Sequence, residues 1–322
     1  MPAGGPELGT MEEFDMDYGR NVLRRTTAAL LALGGAALFA GTAVAQMPVA
    51  PSGYVGILGG GPTYMRNATY IKELKKSGFT ELLVWSVEVK TNGDLNLNGE
   101  FPLTSGGKYI GDQMWPKFGH DLASLKAGKV KRITFSIGSS NFGDFQNLKA
   151  LVDSQGTGKK SILYKDFAAL AKALPVDAID LDDENGYDSE STIKFALMLG
   201  GLGYHVTMNP YTNNSYWTSV VSQINTQMPG LVDGIHLQNF AGGSSNTPCS
   251  GWDFGGVPVF PGLSDQSSAP PKVTPEQAEA KLKAWHTQCG ITGAWLWIFD
   301  EIKGTDLPKQ YAKAMTEGVN GQ

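Results

Sequence analysis

From Gly53 onward one rhythm recurs through the chain. A short β-branched or aromatic run is followed by a turn and then by a longer segment with apolar residues at three- and four-residue spacing. Strands are expected at 53–59, 81–89, 131–138, 178–184, 204–209, 234–240, 257–260 and 293–299. Helices are expected at 70–78, 121–128, 162–174, 191–201, 216–228, 275–288 and 307–318. The helix at 275 opens with Thr274 as N-cap, Pro275 at its first position and Gln277 three residues after the cap, a complete start signal. Eight strands alternating with helices over roughly 265 residues match a single (β/α)8 TIM barrel, an α/β fold, in count and size. The rival is a doubly wound open sheet, which normally carries a glycine fingerprint after its first strand. Gly59-Gly60-Gly61-Pro62 follows that strand here, and it is not that fingerprint. The segment 91–112 is a long excursion after the second strand, which in a barrel would lie at the active-site rim.

The N-terminus reads differently. Arg24-Arg25 precedes the apolar run 28–40, which leads to Ala43-Val44-Ala45. A basic end, a short apolar stretch and a small-residue cleavage site make residues 1–45 a secretory signal peptide. The arginine pair also admits a twin-arginine route, and Met16 is a second possible start. Residues 46–322 are then the barrel domain, secreted or periplasmic. Residues 1–45 hold three of the arginines and five of the acids, so the net charge goes from −5 to −3 without them. A mildly acidic surface argues against nucleic acid as partner. No membrane association is expected once the signal is removed, and a monomer is expected. Cys249 and Cys289 are the two cysteines; export permits a disulfide, and two small buried thiols fit equally well.

The segment 176–188, VDAIDLDDENGYD, carries the most chemistry. On a strand, side chains alternate faces. Asp180, Asp182 and Glu184 therefore share one face, and Ile179 and Leu181 the other. In a barrel the acids would face the lumen with Glu184 at its C-terminal mouth. Close carboxyl groups in a low-dielectric lumen cannot all ionise cheaply, so at least one keeps its proton near neutrality. That is the equipment of a general acid. An EF-hand loop starting at Asp180 needs Gly at its sixth position and Glu at its twelfth, where this chain has Asn185 and Ser191. The four histidines form no H-E-x-x-H pair, no G-x-S-x-G elbow occurs, and Gly158-Lys159 lacks the rest of a phosphate loop. Neither metal nor cofactor is expected.

Asp177, Asp180, Asp182 and Glu184 fit the D-x-x-D-x-D-x-E signature, and here the chain resembles family 18 of the glycoside hydrolases, the chitinases and endo-β-N-acetylglucosaminidases. Other segments follow in order. Phe135-Ser136-Ile137-Gly138-Ser139 is similar to the third-strand S-x-G-G motif, and Val206-Thr207-Met208-Asn209-Pro210 to the fifth-strand L-T-M-A-P pattern. Leu237-Gln238-Asn239-Phe240 stands where family members carry Q-x-Y, and Gly293-Ala294-Trp295-Leu296-Trp297 matches the eighth strand. The resemblance implies a retaining, substrate-assisted hydrolysis of β-1,4 bonds in N-acetylglucosamine-containing oligo- or polysaccharides, with chitin and N-glycan cores both in range. Glu184 would be the acid/base, Asp182 would orient the acetamido nitrogen, and Asp180 would share a proton with Asp182. Trp297 would floor the sugar subsite, with Gln238, Phe240, Met208 and Tyr211 around it. Phe240 departs from the family tyrosine and lacks its hydroxyl, a loss of about a hundredfold in rate if nothing replaces it. Asp183 is often aromatic in chitinases and is aspartate in bacterial endoglycosidases. The alternative is a weakly active or non-catalytic carbohydrate-binding protein on the same barrel.

Overall fold

The computed structural model describes residues 54–60, 67–139 and 143–322; the expected signal peptide at 1–45 lies outside them. In chain order the elements are β1 (Tyr54–Gly60), α1 (Ala68–Ser77), β2 (Glu81–Val89), β3 (Leu95–Leu97), β4 (Phe101–Pro102), β5 (Thr104–Ser105) and β6 (Lys108–Tyr109). Next come α2 (Gly111–Met114), α3 (Phe118–Leu125), β7 (Arg132–Gly138), α4 (Asp144–Gln155), α5 (Ile162–Ala173), β8 (Ala178–Asp182) and α6 (Ser189–Gly201). The chain finishes with β9 (His205–Met208), α7 (Asn214–Gln227), β10 (Val232–Gln238), β11 (Val259–Ser264), α8 (Pro275–Cys289), β12 (Gly293–Trp297), α9 (Phe299–Ile302) and α10 (Leu307–Val319).

Strands β1, β2 and β7 to β12 pair in parallel, and β1 pairs with both β2 and β12. The sheet therefore closes, giving the expected barrel. Its strands bury apolar side chains outward against the helices, so the main core is a ring between the two layers that includes Ile179, Leu181, Val206 and Met208. Closure also explains the nearly continuous burial of the strands, since each is covered on both faces. A second, smaller apolar cluster of Tyr54, Leu58, Leu83, Phe240, Phe260, Trp295 and Ile298 fills one side of the lumen.

Helix α8 starts as its sequence dictates: Thr274 accepts from the Gln277 N–H, and the Gln277 side chain accepts from the Thr274 N–H at 2.9 Å. It stops at Gly290 in the left-handed region. Cys289 at its end is disulfide-bonded to Cys249. A cross-link spanning 40 residues typically stabilises by about 2–4 kcal/mol.

Three differences from the sequence reading have physical causes. Helix α4 went unpredicted, although Phe145, Leu148, Leu151 and Val152 give it a buried stripe at helical spacing. Strand β11 runs to Ser264, beyond the expected 260, through Pro261 and Gly262. Gly262 is required there, because a Cβ would sit 2.4 Å from the Trp295 indole. The excursion 91–112 pairs β3 antiparallel with the C-terminal end of β2. It then packs against α5, with Gly93 facing Ile162 and Gly107 facing Lys165, and none of it lines the cavity that holds Asp182 and Glu184.

Candidate active site

The carboxylate ladder is assembled by strand register. Ser136 and Thr207 stand beside Asp180 on the neighbouring strands β7 and β9. Ser136 Oγ donates to Asp180 at 2.9 Å and Thr207 Oγ1 at 2.6 Å; Asn209 Nδ2 adds a bond at 3.0 Å. His236 Nδ1 lies 2.8 Å away. Asp180 is fully buried, and burial alone would raise its pKa. The opposing attraction of His236 and these hydrogen bonds outweigh burial and hold the carboxyl below the ordinary range. Asp180 is thus an anion locked in place by four partners.

Asp182, two residues on, has the opposite character. Burial pushes its pKa well above the usual carboxylate value, and the charges of Glu184, Asp180 and Asp183 push further in the same direction. Its carboxyl also hydrogen-bonds Glu184. Gln238 Nε2 bridges the pair, 3.1 Å from Asp182 Oδ1 and 3.4 Å from Glu184 Oε1. Glu184 is raised as well, chiefly by burial, while the bonds from Gln238 and Asp182 pull the other way. Asp182 and Glu184 are thus linked to each other and through Gln238, whereas both oxygens of Asp180, the expected proton-sharing partner of Asp182, are taken by Ser136, Thr207, Asn209 and His236.

Asp183 points off the ladder. Its carboxylate accepts the backbone N–H groups of Asn185, Gly186 and Tyr187, at 3.1, 2.6 and 2.6 Å. The aspartate in D-D-E thus shapes the turn that carries Glu184 past the strand end. Asp177, the first acid of the signature, is ion-paired to Lys126 at 2.6 Å and accepts from the Ile133 N–H. It fastens the strands at the N-terminal end of the barrel and is remote from the mouth.

A cavity of about 440 Å³ opens above the pair. Asp182, Glu184 and Gln238 line it, together with Tyr211, Phe240 and Trp297. Trp297 packs edge-on to Trp85 at 5.3 Å between ring centroids and lies 5.8 Å from Phe240. Phe240 is buried and sits in the luminal apolar cluster. Of the residues expected around the sugar, Met208 is the exception. It is fully buried on the outward face of β9 among the helices, and Asn209 takes the luminal place one residue later. Sequence reasoning missed Trp85, Asn209, Trp295 and His236. Trp85 shares a strand face with Glu81 and Leu83, and Asn209 with Thr207, so alternation was the available signal for both. Gly138 has φ +98°, and a Cβ there would lie 2.4 Å from the Asp182 carbonyl oxygen. This glycine of the third-strand motif lets β7 approach the ladder.

No family model matches the sequence, and no curated protein is similar to it. Solved structures are similar in fold. The catalytic domain of a family GH18 chitinase from the fern Peteris ryukyuensis has a TM-score of 0.56 at 13% identity, over 84% of this chain and 100% of that one. A fungal endo-β-N-acetylglucosaminidase of glycosyl hydrolase family 18 has a TM-score of 0.60 at 15% identity, over 82% and 96%. A plant class V chitinase mutant from Cycas revoluta in complex with (GlcNAc)3 has a TM-score of 0.53 at 11% identity, over 81% and 99%. These neighbours are glycosidases, and the chain shares their (β/α)8 barrel.

Proposed function

We propose that this protein is a retaining glycoside hydrolase that cleaves β-1,4 bonds in N-acetylglucosamine-containing glycans by substrate-assisted catalysis. The observation that carries this reading is the Asp182–Glu184 pair, bridged by Gln238, at a cavity walled by Trp297 and Phe240. The Cycas revoluta neighbour, whose structure holds (GlcNAc)3, supports the substrate class.

In the proposed reaction a sugar ring stacks on Trp297, an apolar face against an aromatic one. The 2-acetamido N–H turns toward Asp182. Glu184 carries the proton of the pair and gives it to the glycosidic oxygen as the bond to C1 breaks. The acetamido oxygen bonds to C1 from the opposite face, forming an oxazolinium ion, and Asp182 as a carboxylate stabilises its N–H. Water then attacks C1 as the C1–O bond of the oxazolinium breaks and the neutral acetamido group is restored, Glu184 takes up the water's proton, and the anomeric configuration is retained. Because the nucleophile belongs to the substrate, its translational entropy is already spent before the step. Asp180 stays ionised throughout, and the Tyr211 hydroxyl stands in for the one that Phe240 lacks. Export through residues 1–45 belongs to the same proposal, and the Cys249–Cys289 bond supports an oxidising destination.

The test is release of chromophore from chromogenic chitobiose and chitotriose glycosides, with Glu184→Gln as control. Turnover by the wild type with loss in the variant is expected. Absence of turnover in both, alongside a melting temperature raised by chito-oligosaccharides, would make the protein a binder instead.

A further inference from the structure

Behind Asp180 the lumen holds a second run of polar side chains that the chemistry above does not use. His236 bonds Asp180 through Nδ1, and its Nε2 lies 3.0 Å from the Tyr54 hydroxyl. That hydroxyl bonds Glu81 Oε2, and Thr134 Oγ1 bonds the other Glu81 oxygen. Arg132 Nε is 3.5 Å from Glu81, and its guanidinium pairs with Asp233 at 2.6 and 2.8 Å. His236 is 0% exposed, Glu81 1% and Tyr54 5%. From His236 to Glu81 the run is buried, and it ends toward the N-terminal end of the barrel at Arg132 and Asp233, whose side chains are 13% and 19% exposed.

Counting protons restricts what this run can be. The Tyr54 hydroxyl has one hydrogen. If it donates to Glu81, its oxygen must accept from His236 Nε2–H, and His236 is an imidazolium facing a Glu81 carboxylate. If it donates to His236 Nε2, its oxygen must accept from a Glu81 carboxylic acid, and His236 is neutral. The two states interconvert without solvent. The His236 Nε2–H bond breaks as a new Tyr54 O–H forms, and the old Tyr54 O–H breaks as a Glu81 O–H forms. In both states His236 Nδ1–H still donates to Asp180.

We propose that His236, Tyr54 and Glu81 form a proton relay behind the catalytic acids, sharing one proton between His236 Nε2 and Glu81 Oε2 across the Tyr54 hydroxyl. The relay keeps Asp180 anionic while the charge on Asp182 and Glu184 changes. That role in turnover rests on the glycosidase reading, whereas the proton sharing does not. The surroundings fit it. His236 faces Asp180 from β8 and Tyr54 from β1, and its remaining ring neighbours, Phe260 and Trp295, are uncharged. Glu81 faces Arg132 from β7, with Asp233 of β10 beyond it. Burial holds the Glu81 carboxyl above its ordinary range, and Arg132, His236 and the Thr134 bond oppose that rise without cancelling it. Tyr54, Glu81 and His236 are positioning residues; none of them reaches the cavity.

The experiment is nitrogen-15 NMR of His236 in the full chain across a pH series, for wild type, Tyr54→Phe and Glu81→Gln, with hydrolysis measured in parallel. In the wild type we expect a retained Nδ1 proton and an Nε2 shift between the protonated and bare limits, nearly constant with pH. In Tyr54→Phe the Nε2 shift should collapse to one limit. There kcat should fall about tenfold, as for a lost hydrogen bond to a charged group, with KM within about twofold. An Nε2 shift that is identical in wild type and Tyr54→Phe overturns the relay. If Tyr54→Phe does not fold, an unchanged shift in Glu81→Gln does the same, and so does a wild-type His236 that titrates as an isolated imidazole. If the NMR result holds but no variant or wild type hydrolyses chito-oligosaccharides, the relay stands and the glycosidase reading falls.

Discussion

Asp180 and Asp182 occupy the same strand, face the same lumen and are almost equally buried, at 0% and 5% exposed. Burial raises both, yet their pKa values move in opposite directions. The deep position is crowded with donors and a histidine; the outer one meets mainly other acids and a single amide. The lesson is that burial alone does not make an acid catalytic. What separates an anchor from a proton carrier is the count of donors around it, and the barrel supplies many donors in its interior and few at its mouth.

Glu184→Gln removes the mouth's proton carrier, and hydrolysis of a chitotriose glycoside should fall by on the order of a thousandfold with little change in binding. Asp180→Asn breaks the saturated end, leaving His236 without its anion and turning amide hydrogens toward donors. Denaturant unfolding should show a loss of about 3–5 kcal/mol. The third change concerns pH. A raised native pKa means that the folded chain binds a proton which the unfolded chain has released. The stability contributed by Asp182 is therefore complete below its ordinary unfolded pKa and is lost as pH rises through the raised folded value. Within that window the slope approaches about 1.4 kcal/mol per pH unit, and Asp182→Asn should flatten it in unfolding curves. Asp180 has the reverse sign, since its contribution is lost as pH falls through its lowered folded value. Phe240→Tyr restores a hydroxyl to the cavity wall and should raise kcat by about tenfold, measured on the same glycoside. Met208→Leu, on the outward face of β9, should cost less than about 1.5 kcal/mol and leave kcat unchanged.

Much of this contrast could be read from the chain itself. Strand alternation places Asp180, Asp182 and Glu184 on one face, and the strand–helix rhythm closes the barrel around them. The same alternation, applied to β9, would have exchanged Met208 for Asn209; the family pattern drew attention to the methionine instead. The relay was not legible. Tyr54, Glu81 and His236 lie on three strands far apart in sequence, and only the closure of β1 onto β2 and the register of β10 bring them together. The division of the three acids into anchor and pair was equally hidden, because it depends on Ser136, Thr207 and Asn209 arriving from neighbouring strands. Helix α4 was within reach, since its apolar spacing is visible once the glycines around it are read as caps.

The most direct test is a carbon-13 titration of the carboxyl carbons of Asp180, Asp182 and Glu184 in the wild-type protein. Asp180 should remain ionised down to a pH below its ordinary value, while Asp182 and Glu184 titrate together, in two linked steps above theirs. If Asp180 takes up its proton before Asp182 as the pH is lowered, or if Asp182 and Glu184 titrate independently at ordinary carboxylate values, the division between anchor and proton carrier is wrong.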